Sequence, residues 1–439
     1  MNPGLSSVLS ARLIDRRLNH RGEVLASFQE RVSDGELSET KIRKLQNGRL
    51  CALLQRAREC APFYRDLIPP DGDLTPLTAR KVLGELPIVS REDLQAVAHR
   101  FSSTDFADSD TDSTSGSTGS PFQFRVDRNT RVARESSIYW ADSLAGWRYG
   151  ERCAYLWGNE MEMQSLQSGV RMRTRAWLEN RLYLNAYAMS FDAILTYHDR
   201  LSRFRPHLLI GYASALEEFA RVLRERGVRP DYPGRAVVSS AEVLSPEARA
   251  KIETVMGVPV FNRYGCREFG VLATEDSMHD GLTINDRDVI LEIDSSDPYT
   301  EPGRVIVTYL ANSAMPFIRY DLGDVVQMQS GPIGQGRIAR ILGREGEIIK
   351  TSRGRSVHSN FFSKLFRDHP AVNRFEVVQE ENCELRIRIE RKKNTCAPEE
   401  NVWRAQIGAI FGSSVEIHFE YVDSIMPLPS GKRRSVTKA

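Results

Sequence analysis

The stretch AVVSSAEVLSPEARAKIETVMGVPVFNRYGCREFG, residues 236–270, reads in one pass as strand, helix and strand. AVVSS is a short apolar run. Ser245 and Pro246 then open a helix, because serine supplies an N-cap oxygen and proline fits the first turn, where its missing N–H has no partner to lose. Gly257 stops that helix, and VPVFN returns as a strand. The same rhythm runs upstream, with CAYLW (153–157) and HLLIGY (207–212) as further apolar runs. SALEEFARVLRERG, 214–227, places Ser214 three residues before Glu217 and ends on Gly227, which predicts a capped amphipathic helix. Nearly continuous apolar strands alternating with helices point to a parallel sheet buried on both faces.

Outside this block the patterns change. DVILEI (288–293) and RVIVTY (304–309) alternate, as strands of a more antiparallel β region do. Beyond about residue 345 the spacing predicts a small α+β unit: a helix around 359–368, strands RFEVVQ and LRIRI, a helix around 400–411, and the strand VEIHFEY. The first hundred residues read as helices, with Ser90 and Asp93 set as a capping box before an apolar run.

Composition excludes several classes. Sixty Lys and Arg against 58 Asp and Glu leave a net charge of +2 over 439 residues, unlike the strongly basic balance of a nucleic-acid coat. With 41% hydrophobic and 27% charged residues the chain is an ordinary globular one, long enough for about three domains or subdomains. No run approaches the ~18 apolar residues of a membrane span. The opening MNPGLSSVLSARLIDRRLNHRGE has no continuous apolar segment or small-residue cleavage site. Cys51, Cys60, Cys153, Cys266, Cys383 and Cys396 are scattered without metal-ligand spacing, which suits reduced thiols in a cytoplasmic protein.

From Ser102 to Ser120, 17 of 19 residues are Ser, Thr, Asp or Gly, too polar for a core element. Within it, STSGSTGSP (113–121) offers backbone N–H groups and hydroxyls able to wrap phosphate oxygens. Ser120 follows Gly119 where a Walker A loop needs lysine, so by itself this stretch is equally a flexible linker. YGCRE (264–268), MPFIRYDLGD with Asp321 and Asp324, ILGREGEIIKTSRG about twenty residues later, and PLPSGKRRS with Lys432 follow in order.

In that order the motifs resemble the adenylate-forming superfamily of acyl-CoA synthetases, luciferases and peptide-synthetase adenylation domains. LLQRARECAPFYRDLI, ELPIVSREDLQ and PHLLIGYASALEEFARVLRERG bring the resemblance closest to the phenylacetate–CoA ligase branch and its capsule-biosynthesis relatives. The fold it implies is α/β. Residues 1–343 would form a large body of several subdomains, with parallel sheets flanked by helices plus a β region. Residues 344–439 would form a small, mobile α+β domain.

The resemblance also implies a chemistry: a carboxylic acid reacts with ATP and Mg²⁺ to give an acyl-adenylate and pyrophosphate. Ser115, Gly116, Ser117, Thr118 and Gly119 would then cradle the β- and γ-phosphates. Tyr264, followed by Gly265, would lie against adenine, and Glu268 would act in catalysis by holding Mg²⁺. Ser240, Ala241 and Glu242 occupy the position bordering adenine, where relatives are richer in glycine. Asp324 matches the aspartate that accepts the ribose hydroxyls, and Arg344 the arginine of the GR motif. Lys432 matches the catalytic lysine, which stabilises charge between carboxylate and α-phosphate. The small domain would rotate after the first step about a hinge near Gly343–Glu347, where Gly346 departs from the usual side chain.

Trp140, Trp157, Tyr187, Tyr212 and Ser239 are candidates to line the acyl pocket, where rings suit an aryl or small apolar acid; each is also an ordinary core residue. RMRTRAWLENR groups Arg171, Arg173, Arg175 and Arg181 against Glu179, either for an acceptor's phosphates or as a solvated helix face. The family's commonest acceptor is CoA. An amine, amino sugar or carrier-protein thiol is the alternative, in polysaccharide or secondary metabolism. A catalytically inactive nucleotide-binding partner protein is the non-enzymatic reading, which retention of Glu268, Asp324 and Lys432 disfavours.

Overall fold

The structure, a computed structural model, describes residues 21–34, 38–70, 72–96, 98–102, 109–114, 122–158, 174, 176–186, 189–329, 336–344, 348–351, 356–358, 360–366, 369–380, 384–392, 399–412, 415–425 and 436–438. The N-terminal region is helical as its sequence predicts: α1 (Arg21–Asp34), α2 (Glu39–Cys60), α3 (Ala79–Glu85), α4 (Arg91–Ala96) and α5 (Ala98–Phe101). Ser90 and Asp93 form the expected capping box at α4, each backbone N–H donating to the other's side chain at 2.8 and 3.1 Å. A hairpin of β1 (Asp110–Thr114) and β2 (Phe122–Val126) follows, then α6 (Arg128–Leu144), capped by Asp127.

The central block is β3 (Cys153–Trp157), β4 (Arg181–Asn185), α7 (Phe191–Phe204), β5 (Leu208–Tyr212), α8 (Ala213–Glu225), β6 (Ala236–Ser240), α9 (Pro246–Met256) and β7 (Val260–Cys266). Its strands pair in parallel in the order β4, β3, β5, β6, β7. At β7 the sheet changes sense. β8 (Gly270–Glu275), β9 (Leu282–Ile284), β10 (Val289–Asp294), β11 (Gly303–Tyr309), β12 (Tyr320–Met328) and β13 (Arg337–Arg344) continue it antiparallel. Among the described residues the result is one 11-stranded sheet, with the antiparallel region expected from DVILEI and RVIVTY fused to the parallel one.

Packing explains the composition of the strands. One face of the parallel half buries Leu156, Leu184, Leu209 and Val237 under α7, α8 and α9, with Ile194, Leu216, Phe219 and Ile252 opposite them. The other face buries Tyr155, Ile210, Val238 and Phe261 against Val24 and Phe28 of α1 and Tyr139 of α6. Burial on both faces is why these strands read as continuous apolar runs. The antiparallel half shares its core with the N-terminal helices, through Leu50, Leu54, Tyr64, Phe269, Tyr309 and Phe317.

Local signals behave unevenly. α9 starts and stops as read, with Ser245 Oγ accepting from Ala248 N–H at 3.1 Å and Gly257 at φ +70. The box expected at Ser214 does not form. α8 begins one residue earlier, at Ala213, and the Ser214 N–H donates instead to the Glu242 carboxylate at 2.8 Å, so the cap comes from the loop after β6.

After Arg344 every described strand belongs to another sheet. β14 (Ile348–Lys350) pairs β15 (Ser356–His358), and β18 (Ile417–Val422), β17 (Leu385–Arg391), β16 (Val372–Gln379) and β19 (Val436–Lys438) form a four-stranded sheet in that order. α10 (Asn360–Phe366) and α11 (Glu400–Phe411) supply Phe362, Phe366, Trp403 and Ile407 to its core. Both helices and the three longer strands lie where the sequence predicts them. Among the described residues, no helix is long and apolar enough to cross a membrane.

Candidate functional site

The site begins at the strand where the sheet changes sense. YGCRE runs from the end of β7 into the tight turn to β8. Gly265 is required there by a close approach: a Cβ would stand 2.2 Å from the Gly270 carbonyl oxygen. The ladder shifts register between Tyr264 and Gly265, which aims the following residues out of the regular pleat.

The buried Tyr264 hydroxyl donates to Asp324 Oδ2 at 2.8 Å. Arg344, paired with Asp324 across β12 and β13, brings Nε to 3.6 Å from Oδ1. Burial, then the Asp324 charge, pushes the Tyr264 phenol well above its ordinary value, so it remains a donor at neutral pH. Burial, then the neighbouring Glu268 carboxylate, pushes the Cys266 thiol well above its ordinary value. Asp321, at the start of β12, is engaged by Arg304 at 2.7 Å and by the Gly323 N–H at 2.9 Å.

A second group adjoins it. Glu268 is buried, and its carbonyl accepts from Arg134 Nε of α6 at 3.0 Å. Arg134 Nη1 also donates to Asp112 Oδ2 at 3.1 Å, and Arg267 Nε donates to Asp112 Oδ1 at 3.1 Å. Asp112 lies on β1, whose last residue, Thr114, pairs Phe122 at the start of β2. The hairpin thus brackets the polar stretch, and two arginines fasten its base to YGCRE. The expected phosphate-binding residues Ser115, Gly116, Ser117, Thr118 and Gly119 lie outside the described residues.

The third group lies at the carboxyl ends of parallel strands, where open α/β sheets bind ligands. Trp157 ends β3 and Tyr212 ends β5; their rings pack 4.3 Å apart at 31°. Ser240 ends β6 opposite Arg263, one residue before Tyr264, so this edge is continuous with the first group. Ser239 is completely buried, and its hydroxyl has no hydrogen-bond partner among the described residues. Ala241 follows at φ +65, a left-handed conformation that favours glycine. That is a physical reason why glycine would suit this position. The Glu242 carboxylate is occupied in capping α8.

Of the remaining candidates, Trp140 packs beside the core shared by α1 and α6, and Arg181 donates to the Tyr155 hydroxyl at 2.5 Å rather than facing solvent. Tyr187, Lys432, Glu345, Gly346, Glu347, Arg171, Arg173 and Arg175 lie outside the described residues. For Mg²⁺ the donor chemistry fits. Glu268 supplies a hard carboxylate oxygen, and this ion is usually held by one or two carboxylates together with substrate phosphates. Asp112, Arg134 and Arg267 adjoin the candidate site, and sequence reasoning does not single them out. Arg267 stood inside a quoted motif, but nothing local marks its pairing with Asp112, 155 residues away.

A model of the CapK C-terminal domain matches residues 349–439. Protein CapK of Staphylococcus aureus is 22% identical over 404 residues, covering 89% of this chain and 88% of that protein. Phenylacetate-coenzyme A ligase of Thermus thermophilus is 25% identical over 337 residues, covering 71% of this chain and 72% of the ligase. Among solved structures, 2-hydroxyisobutyryl-CoA ligase in the postadenylation state with R3-HIB-AMP is similar at a TM-score of 0.66 and 20% identity, over 90% of this chain and 89% of that one.

Proposed function

We propose that the chain is a member of the adenylate-forming superfamily, in its phenylacetate–CoA ligase-like branch, and that it is an AMP-forming acid–thiol ligase, a reading supported by its similarity to CapK and to phenylacetate-coenzyme A ligase. A carboxylate oxygen attacks the α-phosphorus of ATP, the bond to the β-phosphate oxygen breaks, and pyrophosphate leaves. A thiol, with CoA as the acceptor, then attacks the acyl carbon, and AMP departs with the bonding electron pair.

The observation that carries this reading is the joined Tyr264, Asp324 and Arg344 group, with Glu268 four residues along the chain from Tyr264. Asp324 would accept the ribose hydroxyls: a carboxylate has room for more than the Tyr264 and Arg344 contacts it already makes. Arg344 would bind ribose or phosphate oxygens, and Tyr264 would border adenine with Gly265, Ser240 and Ala241. Glu268 would hold Mg²⁺, which supplies charge neutralisation at the phosphates. Ser115, Gly116, Ser117, Thr118 and Gly119 would wrap the β- and γ-phosphates. Lys432, carried on a lid of residues 344–439 over a body of residues 1–343, would stabilise the charge shared by carboxylate and α-phosphate. The Trp157–Tyr212 pair favours an aryl or small apolar acid, and Tyr187 and Ser239 would be the further residues of an acyl pocket.

Pyrophosphate exchange into ATP, measured with a panel of carboxylic acids, tests the proposal. Exchange dependent on one class of acid is expected, and it should collapse in Lys432→Ala. No exchange with any acid would favour a nucleotide-binding protein without chemistry. Supplying CoA or an amine to the enzyme-bound adenylate, and weighing the product, distinguishes thioester from amide formation.

A further inference from the structure

Resting on that reading, we propose that Arg134 of α6 is a positioning residue for Glu268, a clamp that holds the turn carrying this carboxylate against the β1–β2 hairpin. Arg267, Glu268 and Phe269 form the short connection between β7 and β8, outside the ladder that pairs those strands. The backbone of a buried residue there needs partners from elsewhere. Arg134 supplies two donors, Nε at 3.0 Å and Nη2, both to the Glu268 carbonyl oxygen. Its third nitrogen, Nη1, donates to Asp112 Oδ2 at 3.1 Å, and the guanidinium carbon stands 5.3 Å from the centre of the Phe124 ring. Asp112 and Phe124 face each other across β1 and β2, so one planar group touches both members of a cross-strand pair.

The helix lies directly on the turn. A Cβ at Gly270 would stand 3.2 Å from both Arg134 Cα and Ser137 Oγ. The Arg134 side chain has little freedom there: it is 14% exposed, and all three of its nitrogens are bonded. A carboxylate holds a metal well only when its own backbone is fixed, because otherwise the turn can rotate and carry the Glu268 oxygens out of place. Arg134 fixes that backbone with a charged, planar fork, which the single ammonium of a lysine cannot reproduce. Arg131, one turn earlier on α6, provides the contrast. It pairs Asp110 on the same strand β1, and so fastens helix to hairpin without a bond to the Glu268 turn among the described residues.

Calorimetry on the full chain would measure binding of AMP, and of ATP with and without Mg²⁺. In the wild type Mg²⁺ should tighten ATP. Arg134→Met, which keeps the packing stem, and Arg134→Lys should each weaken ATP about 10-fold in the presence of Mg²⁺, as loss of a group that orients a metal-holding carboxylate requires. AMP and metal-free ATP should bind as before, and unchanged AMP binding also shows that the variants are folded. Glu268→Gln should lose the same Mg²⁺-dependent gain, and adding Arg134→Met to it should cost nothing further, since both act through one carboxylate. Arg131→Gln should keep the wild-type gain. Equal weakening of AMP and ATP in both Arg134 variants, an undiminished Mg²⁺ gain, additive losses in the double variant, or the same loss in Arg131→Gln each overturns the proposal. If the wild-type chain binds neither ATP nor AMP, the ligase reading itself fails. If Mg²⁺ does not tighten ATP, or Glu268→Gln keeps the full gain, only the metal assignment fails. This proposal falls with either.

Discussion

The parallel and antiparallel halves of the large sheet present opposite chemistry to the same edge. Along β3, β5 and β6 the strands end in the rings of Trp157 and Tyr212, the hydroxyls of Ser239 and Ser240, and the methyl of Ala241. Beyond Tyr264 the groups are charged or bonded to charges: Asp324 with Tyr264 and Arg344, and Asp112 with Arg134 and Arg267. Apolar rings recognise shape and exclude water, whereas charged groups recognise a substrate's charge. Under the proposed function, an acid's hydrocarbon would lie on one side and the nucleotide on the other.

Substitutions on the two sides should separate accordingly. The largest effect is expected where the halves meet. Gly265→Ala would drive a Cβ into the Gly270 carbonyl, which cannot move without breaking the β7–β8 turn. A loss of at least about 3 kcal/mol in stability is expected from such overpacking, read as a shifted denaturation midpoint. A wild-type midpoint would mean that the turn relaxes freely. Asp324→Ala comes next. Losing hydrogen bonds to a charged group should weaken ATP about 10- to 100-fold while leaving the KM for the acid unchanged. If both constants rise together, the two halves do not divide the substrates.

Trp157→Ala is the converse. It should raise the KM for the acid about 10-fold through lost ring contact and leave ATP binding intact. A change in ATP affinity instead would place the ring against the nucleotide. Ala241→Gly has the smallest expected effect, a gain of about 0.5–1 kcal/mol, because relief of a left-handed alanine slightly exceeds the entropy cost of glycine. A lower melting temperature would show that the alanine methyl contributes packing.

What could be read from sequence divides along a related line. α9 was legible because its signals, Ser245, Pro246 and Gly257, act within their own turn. The parallel strands were legible because burial on both faces leaves a one-dimensional trace. Ser214 misled because the residue that caps α8 is Glu242, 28 positions away. β1 was hidden for a related reason. Asp110–Thr114 carries no apolar residue, and its partner β2 supplies the buried Phe122, Phe124 and Val126. Tertiary pairing overrides a composition that reads as loop. The site divides the same way: Tyr264, Asp324 and Arg344 belong to recognisable motifs, whereas the Asp112–Arg267 pair exists only once the hairpin is folded onto them.

β7 is hydrogen-bonded on both sides, parallel to β6 and antiparallel to β8, so Ser240 and Tyr264 are held apart by the spacing of neighbouring strands. That spacing, about 4.8 Å, is a property of the backbone and does not depend on side chains. Under the proposed function, exchanging the rings at 157 and 212 would retune the acid without disturbing this backbone spacing, so the alignment of carboxylate to phosphorus would be inherited unchanged.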